Sequence, residues 1–252
     1  WRPGTPAVTP AELPRIDLGQ VEVREGDAGV ATYRLPVVVS GRGEGQVRVF
    51  ATNPLTGVQA SRLATVRPGT DHLDVPVSVA GNTRYGADLG VRVLVKASQP
   101  TVVGDYTGLL TVRDDDPLPA LSVDPVATRA TEGAALSWRL TLSAPTDVAL
   151  RFRLTAVAPA AGPEVSTTDV DPNWVRGVFD TEPLPSRALS ATQGSLLVEF
   201  PAGGTRADVV LPTAVDQVAE PDEHLLLQPR LPDGPPGQPT WPHLSGTVLG
   251  AP

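Results

Sequence analysis

Apolar residues recurring at every second position confine this chain to β-structure. Val47, Val49 and Ala51 alternate with Gln46, Arg48 and Phe50; Val75, Val77 and Val79 form a second row, and Val91, Val93 and Val95 a third. A strand sends successive side chains to opposite faces, so such rows mark strands with one face buried and one in water. Leu136, Trp138, Leu140 and Leu142 share a face opposite Ser137, Arg139, Thr141 and Ser143, while Leu150, Phe152 and Leu154 alternate with Arg151, Arg153 and Thr155. Leu196, Val198 and Phe200, then Leu225 and Leu227, continue the pattern. No segment of a dozen residues carries a helical period. Many of the 24 Gly and 28 Pro fall between the rows, where turns belong. The expected fold class is all-β, with each half of the chain a β-sandwich.

Breaks in the rhythm set the expected domains. Residues 1–14 carry Pro3, Pro6, Pro10 and Pro14 and read as a Pro-rich extended lead-in. A first sandwich spans 15–116. The run Asp114-Asp115-Asp116-Pro117-Leu118-Pro119 cannot continue a strand comfortably, so the boundary falls there and a second sandwich occupies 117–252. The connector is short and proline-stiffened, which predicts a limited range of mutual angles. Residues 156–193 read as a long insertion, most of it extended loop.

The halves echo each other. Ile16-Asp17-Leu18 leads to Glu25-Gly26, and Leu121-Ser122-Val123 leads to Glu132-Gly133. Tyr33-Arg34-Leu35 and Trp138-Arg139-Leu140 follow these pairs, and Val66-Arg67-Pro68-Gly69-Thr70 matches Phe200-Pro201-Ala202-Gly203-Gly204-Thr205. A duplicated unit of roughly 100 residues is the expectation.

Composition narrows the chemistry. With no Cys the chain has neither disulfides nor thiolate ligands, and the absence of Met is expected of a mature or excised chain. No apolar stretch approaches the roughly 20 residues that span a bilayer. A net charge of −8, a single lysine (Lys96) and 4% aromatics give no phosphate-binding patch, so nucleic-acid binding is not expected. His72, His224 and His243 sit in no catalytic setting, and no nucleophile elbow, His-Glu-x-x-His pair or phosphate loop occurs. The chain is expected not to be an enzyme. Trp138 lies in an apolar row and reads as core. Trp174 and Trp241 sit in irregular segments, as plugs over a sandwich end or as contacts for a partner.

Several landmarks resemble the Calx-β domain, an immunoglobulin-like sandwich of sodium–calcium exchangers and many bacterial surface proteins. They are Glu132-Gly133 before Leu140-Thr141-Leu142-Ser143-Ala144-Pro145, then Phe200-Pro201-Ala202-Gly203-Gly204-Thr205, then Asp216 with Glu220-Pro221-Asp222-Glu223. The first half closes on Gly108-Leu109-Leu110-Thr111-Val112-Arg113-Asp114-Asp115-Asp116-Pro117, similar to the family's last strand and acidic run. The resemblance implies two tandem immunoglobulin-like domains over roughly residues 16–250, and Ca2+ held by loop carboxylates at one sandwich end. It implies the ligands Glu132, Asp169 or Asp171, Asp216, Glu220 and Glu223 in the second copy, which ends without terminal acids. In the first it implies Glu25, Asp114, Asp115 and Asp116, with Asn82, Tyr85, Gly86 and Asp88 where the middle acids would fall. Each set is partial. The residue-level alternatives are a solvated linker for Asp114 to Asp116 and turn capping by Glu25 and Glu132.

These readings lead to an extracellular structural or adhesive module of a bacterial cell-surface or secreted protein, rigidified by calcium. Two alternatives stand beside it: a self-assembling filament or surface-layer subunit, and an accessory binding module of a larger secreted enzyme. The expected partner is a protein or a second copy; few aromatics are available for a polysaccharide.

Overall fold

A computed structural model describes residues 13–215, 220–232, 234, 237 and 239–250. The lead-in expected at 1–14 lies outside them except for Leu13 and Pro14. The chain divides into two compact units, one ending at Pro117 and one beginning at Leu118. Among the described residues no helix is long and apolar enough to cross a membrane.

The first unit contains β1 (Arg15–Leu18), β2 (Gln20–Arg24), β3 (Val30–Ser40), β4 (Gly45–Thr52), β5 (Gln59–Val66), β6 (His72–Ala80), β7 (Leu89–Ala97), β8 (Val102–Val103) and β9 (Thr107–Arg113). One sheet runs β6-β3-β1-β8 and the other β2-β9-β7-β4-β5. The alternating rows supply the layer between them: Val47, Val49, Val91, Val93, Ile16, Leu35 and Leu110 lose all contact with solvent. β1 and β2 are one strand broken at Gly19, where the chain leaves one sheet for the other. β2 then pairs parallel to β9, with Arg24 opposite Arg113.

The second unit contains β10 (Leu121–Ala127), β11 (Arg129–Thr131), β12 (Ala135–Leu142), β13 (Leu150–Ala156), α1 (Pro172–Phe179), β14 (Leu196–Phe200), β15 (Arg206–Pro212), β16 (Glu223–Arg230) and β17 (Leu244–Leu249). Its sheets run β10-β12-β15 and β11-β17-β16-β13-β14. Setting β8 and α1 aside, the strand order is that of the first unit. Trp138, Leu140, Phe152, Leu154, Phe200 and Leu211 form the core, and the Trp138 indole donates to the Ser245 carbonyl at 2.9 Å. Trp241 is also buried, edge-on to Phe152 with centroids 5.4 Å apart, so it is a plug. Trp174 is half-buried against Phe179.

The segment 156–193 is more ordered than the extended loop its sequence predicts. Val165, Val170, Val175, Phe179 and Leu189 are buried, and α1 and a 3-10 turn at Leu189–Ala191 lie within it. Bridges Glu164 to His224, Ser166 to Ala188 and Val170 to Thr213 fasten it. A helix of eight residues makes barely two turns, too few for a period to be legible among Ala, Pro and Thr. What starts it is a local signal. Asp171 caps the helix, its Oδ1 accepting from the amides of Asn173 at 2.9 Å and Trp174 at 3.0 Å, and Pro172 follows at the first helical position. Asp171→Ala is expected to cost about 1 kcal/mol. Faster hydrogen exchange of the α1 amides, with the strands unchanged, would report it.

Candidate functional site

The parallel pairing of β2 with β9 delivers two loops to the same end of the first unit. Glu25 directly follows β2, its amide donating to the Arg113 carbonyl at 3.0 Å, and Asp114 directly follows β9. Gly26 turns the chain at φ 80°, and its amide donates to Asp115 Oδ1 at 3.1 Å. The result is a group of three carboxylates, Glu25, Asp114 and Asp116, each half-buried, with ligand-competent oxygens within 4.8 Å of one another. Asn82, just past β6, donates its Nδ2 to Glu25 Oε1 at 2.7 Å. Asp88 accepts from the Asp114 amide at 3.1 Å and pairs with Arg113, which also reaches Glu22 at 2.8 Å.

Crowded carboxylates oppose their own ionisation. Burial and then the charge of Asp114 push the Glu25 carboxyl above its ordinary value. Burial, then the charges of Asp116 and Asp88, do the same to Asp114, with the nearby Gly86 amide acting in the opposite direction. Asp114 Oδ1 is buried with no hydrogen-bond partner, and so is the phenol oxygen of Tyr33. Burial together with the charges of Glu25 and Asp115 raises the Tyr33 pKa, which marks that hydroxyl as a neighbour of the cluster. Nothing in the residue order points to it: Tyr33 figures there only in the Tyr33-Arg34-Leu35 landmark that the halves share.

These raised values carry a sign. Just above the ordinary carboxylate range the folded first unit holds protons that the unfolded chain has released, so its stability falls as pH rises through that window. Carboxylates held low by ion pairs, Asp17 by Arg15 and Glu22 by Arg113, lose their contribution only below that range. In EDTA the first unit is therefore expected to melt higher at about pH 5 than at about pH 7. Glu25→Gln should flatten that dependence and raise the melting point at neutral pH. Thermal melts across pH check both.

The second unit forms a corresponding group from Asp169, Glu220 and Glu223, also within 4.8 Å. Asp169 comes from the insertion. The bridge of Val170 to Thr213, with the Ala214 amide donating to the Asp169 carbonyl at 2.8 Å, lays this stretch along the end of β15. Its side chain is buried and accepts from the Ser166 amide at 2.5 Å. Glu220 precedes β16 and Glu223 opens it. Asp222 faces elsewhere, toward Arg129 at 3.1 Å.

The remaining expected ligands divide. Asp171 is spent on the α1 cap, where its carboxylate satisfies two helix amides that have no partner within the helix. Asp115 is tied to the Gly26 amide, and Glu132, half-buried beside Gly133, joins neither group of three. Asp216 lies outside the described residues. Both groups offer oxygen alone, which suits a hard cation such as calcium and not zinc.

No family model matches the sequence, and no curated protein matches it. Among solved structures the chain is similar to CBD12 from CALX1.2, at 11% identity over 88% of this chain and 83% of that one, with a TM-score of 0.33. It is similar to the calcium binding domain CBD12 of CALX1.1, at 12% identity over 86% and 81%, with a TM-score of 0.34. It is also similar to the Yersinia pseudotuberculosis adhesin InvE, at 14% identity over 92% and 58%, with a TM-score of 0.41.

Proposed function

We propose that this chain is a non-enzymatic structural or adhesive module of a bacterial secreted or cell-surface protein, and that calcium stiffens its sandwich ends. The observation that carries the reading is the convergence of Glu25, Asp114 and Asp116 from separate loops, beside a buried Asp114 oxygen that has no hydrogen-bond partner. Calcium takes 6–8 oxygens at about 2.3–2.6 Å. Carboxylates that raise one another's pKa are the groups that gain most when a divalent cation offsets their repulsion. Glu25, Asp114 and Asp116 would hold an ion in the first unit, and Asp169, Glu220 and Glu223 in the second. The ion would supply no reaction chemistry. It would add to the few hydrogen bonds, such as Gly26 to Asp115 and Asn82 to Glu25, that already join these loops.

Calorimetric titration with calcium tests the reading. Two binding events are expected, one removed by Glu25→Gln and the other by Glu223→Gln, with magnesium bound more weakly because it demands a tighter octahedron. Heats indistinguishable from dilution for the unsubstituted chain would sink it.

A further inference from the structure

The outward face of β4, β5 and β7 reverses the sign of the rest of the molecule. In a chain of net charge −8, the outward positions of these strands hold Arg48, Arg92 and Lys96 and no carboxylate. All three cations are exposed, and among the described residues none of them takes part in an ion pair or side-chain hydrogen bond. Arg48 and Lys96 stand directly opposite each other across β4 and β7. Like charges so placed are destabilising, and nothing in the fold compensates them.

Apolar side chains interleave with the cations. Leu63 on the edge strand β5 lies opposite Arg48 and is 48% exposed; Phe50 lies opposite Leu94; Leu109 on β9 lies opposite Arg92 and is 38% exposed. β5 itself pairs with β4 over eight unbroken positions and contains no proline. Two other edges are interrupted: β6 carries Pro76 and shifts register against β3, and β10 carries Pro125 with a shift beside it. Proline and bulges protect edges from pairing, and β5 has neither.

We propose that this face is a docking surface for an acidic segment of a partner protein, with carboxylates meeting Arg48, Lys96 and Arg92 and apolar side chains meeting Leu63, Phe50 and Leu94. Charge complementarity selects an anion. The aliphatic character of the apolar positions selects a polypeptide, because sugars and bases use aromatic platforms and this face has only Phe50. The inference does not depend on calcium, since no carboxylate of either acidic cluster lies on these strands.

The probe is a short synthetic peptide of Glu and Leu, with a Gln and Leu peptide and oligogalacturonate as comparisons, followed by calorimetry and backbone amide shifts. The acidic peptide is expected to bind at low salt and to perturb amides of β4, β5 and β7. Arg48→Glu with Lys96→Glu should weaken it at least about tenfold, as should raising salt from about 20 to about 200 mM. Leu63→Ser should weaken it several-fold. Lys96→Glu alone places opposite charges across the strands and should melt no lower than the parent; it is expected to weaken binding several-fold as well, a loss that unfolding cannot explain. No binding, binding unaffected by the charge reversal, equal binding of oligogalacturonate, or a dimer abolished by the same reversal would each overturn the proposal.

Discussion

Phe152→Ala is expected to destabilise the second unit by about 3–5 kcal/mol while leaving the first unit's melting unchanged. Phe152 is fully buried on β13, edge-on to Phe200 at 5.8 Å and to Trp241 at 5.4 Å. Truncation removes the shared centre of that triplet, losing transfer free energy and two aromatic contacts and leaving a cavity that strands on either side cannot close. Of a typical domain stability of about 5–15 kcal/mol this is a large share. Scanning calorimetry should show one transition moving down by ten degrees or more and the other in place. Phe152→Leu keeps most of the volume and should recover more than half of the loss. A shift of both transitions would contradict the separate cores.

Gly194→Ala is expected to lift the insertion off the second sandwich. A Cβ at this position would lie 2.0 Å from the Phe179 Cα and 2.5 Å from its carbonyl carbon. Both are backbone atoms of the last residue of α1, so no side-chain rotation relieves the clash. Phe179 is buried and packs on Trp174 at 5.3 Å, which makes the helix the element that must move. Asp169 belongs to the same insertion. Calcium at the second carboxylate group should therefore weaken by about tenfold or more, equivalent to about 1.4 kcal/mol, with binding at the first group unchanged. Limited proteolysis should cut the variant within 156–193 at concentrations that spare the parent. Unchanged proteolysis and unchanged calcium heats would show that α1 is not held against Gly194.

The sandwich fold was legible because burial follows the pleat. The rows read from alternation, such as Val47, Val49 and Ala51 or Leu150, Phe152 and Leu154, lie on the inward face of a strand, with Leu196 half-buried at the start of its row. Some elements without such a row were invisible. β5, with the sequence Gln-Ala-Ser-Arg-Leu-Ala-Thr-Val, is an edge strand with little to bury. The break at Gly19 is one residue long and changes which sheet a strand serves, something no period reports. α1 begins on a cap, Asp171, which the resemblance offers beside Asp169 for a single ligand position. The carboxylates fare likewise. Glu25 meets Asp114 and Asp116 because each follows one of two parallel strands, and Gly26 and Gly133 occupy matching turns at φ 80° and 77°. Which acid of a neighbouring pair faces inward is settled by the nearest amide: Asp115 goes to Gly26 and Asp171 to the helix. That choice depends on backbone placement that residue order alone does not contain.

If the converging carboxylates are cation sites, thermal melts in EDTA, in millimolar magnesium and in millimolar calcium must differ. Calcium at about 100 times its dissociation constant adds about 2.7 kcal/mol to a unit that binds it only when folded. Calcium is expected to raise both transitions by several degrees and magnesium to raise them less, with Glu25→Gln and Glu223→Gln each cancelling the rise in one unit only. Melts that coincide in calcium and EDTA would contradict it.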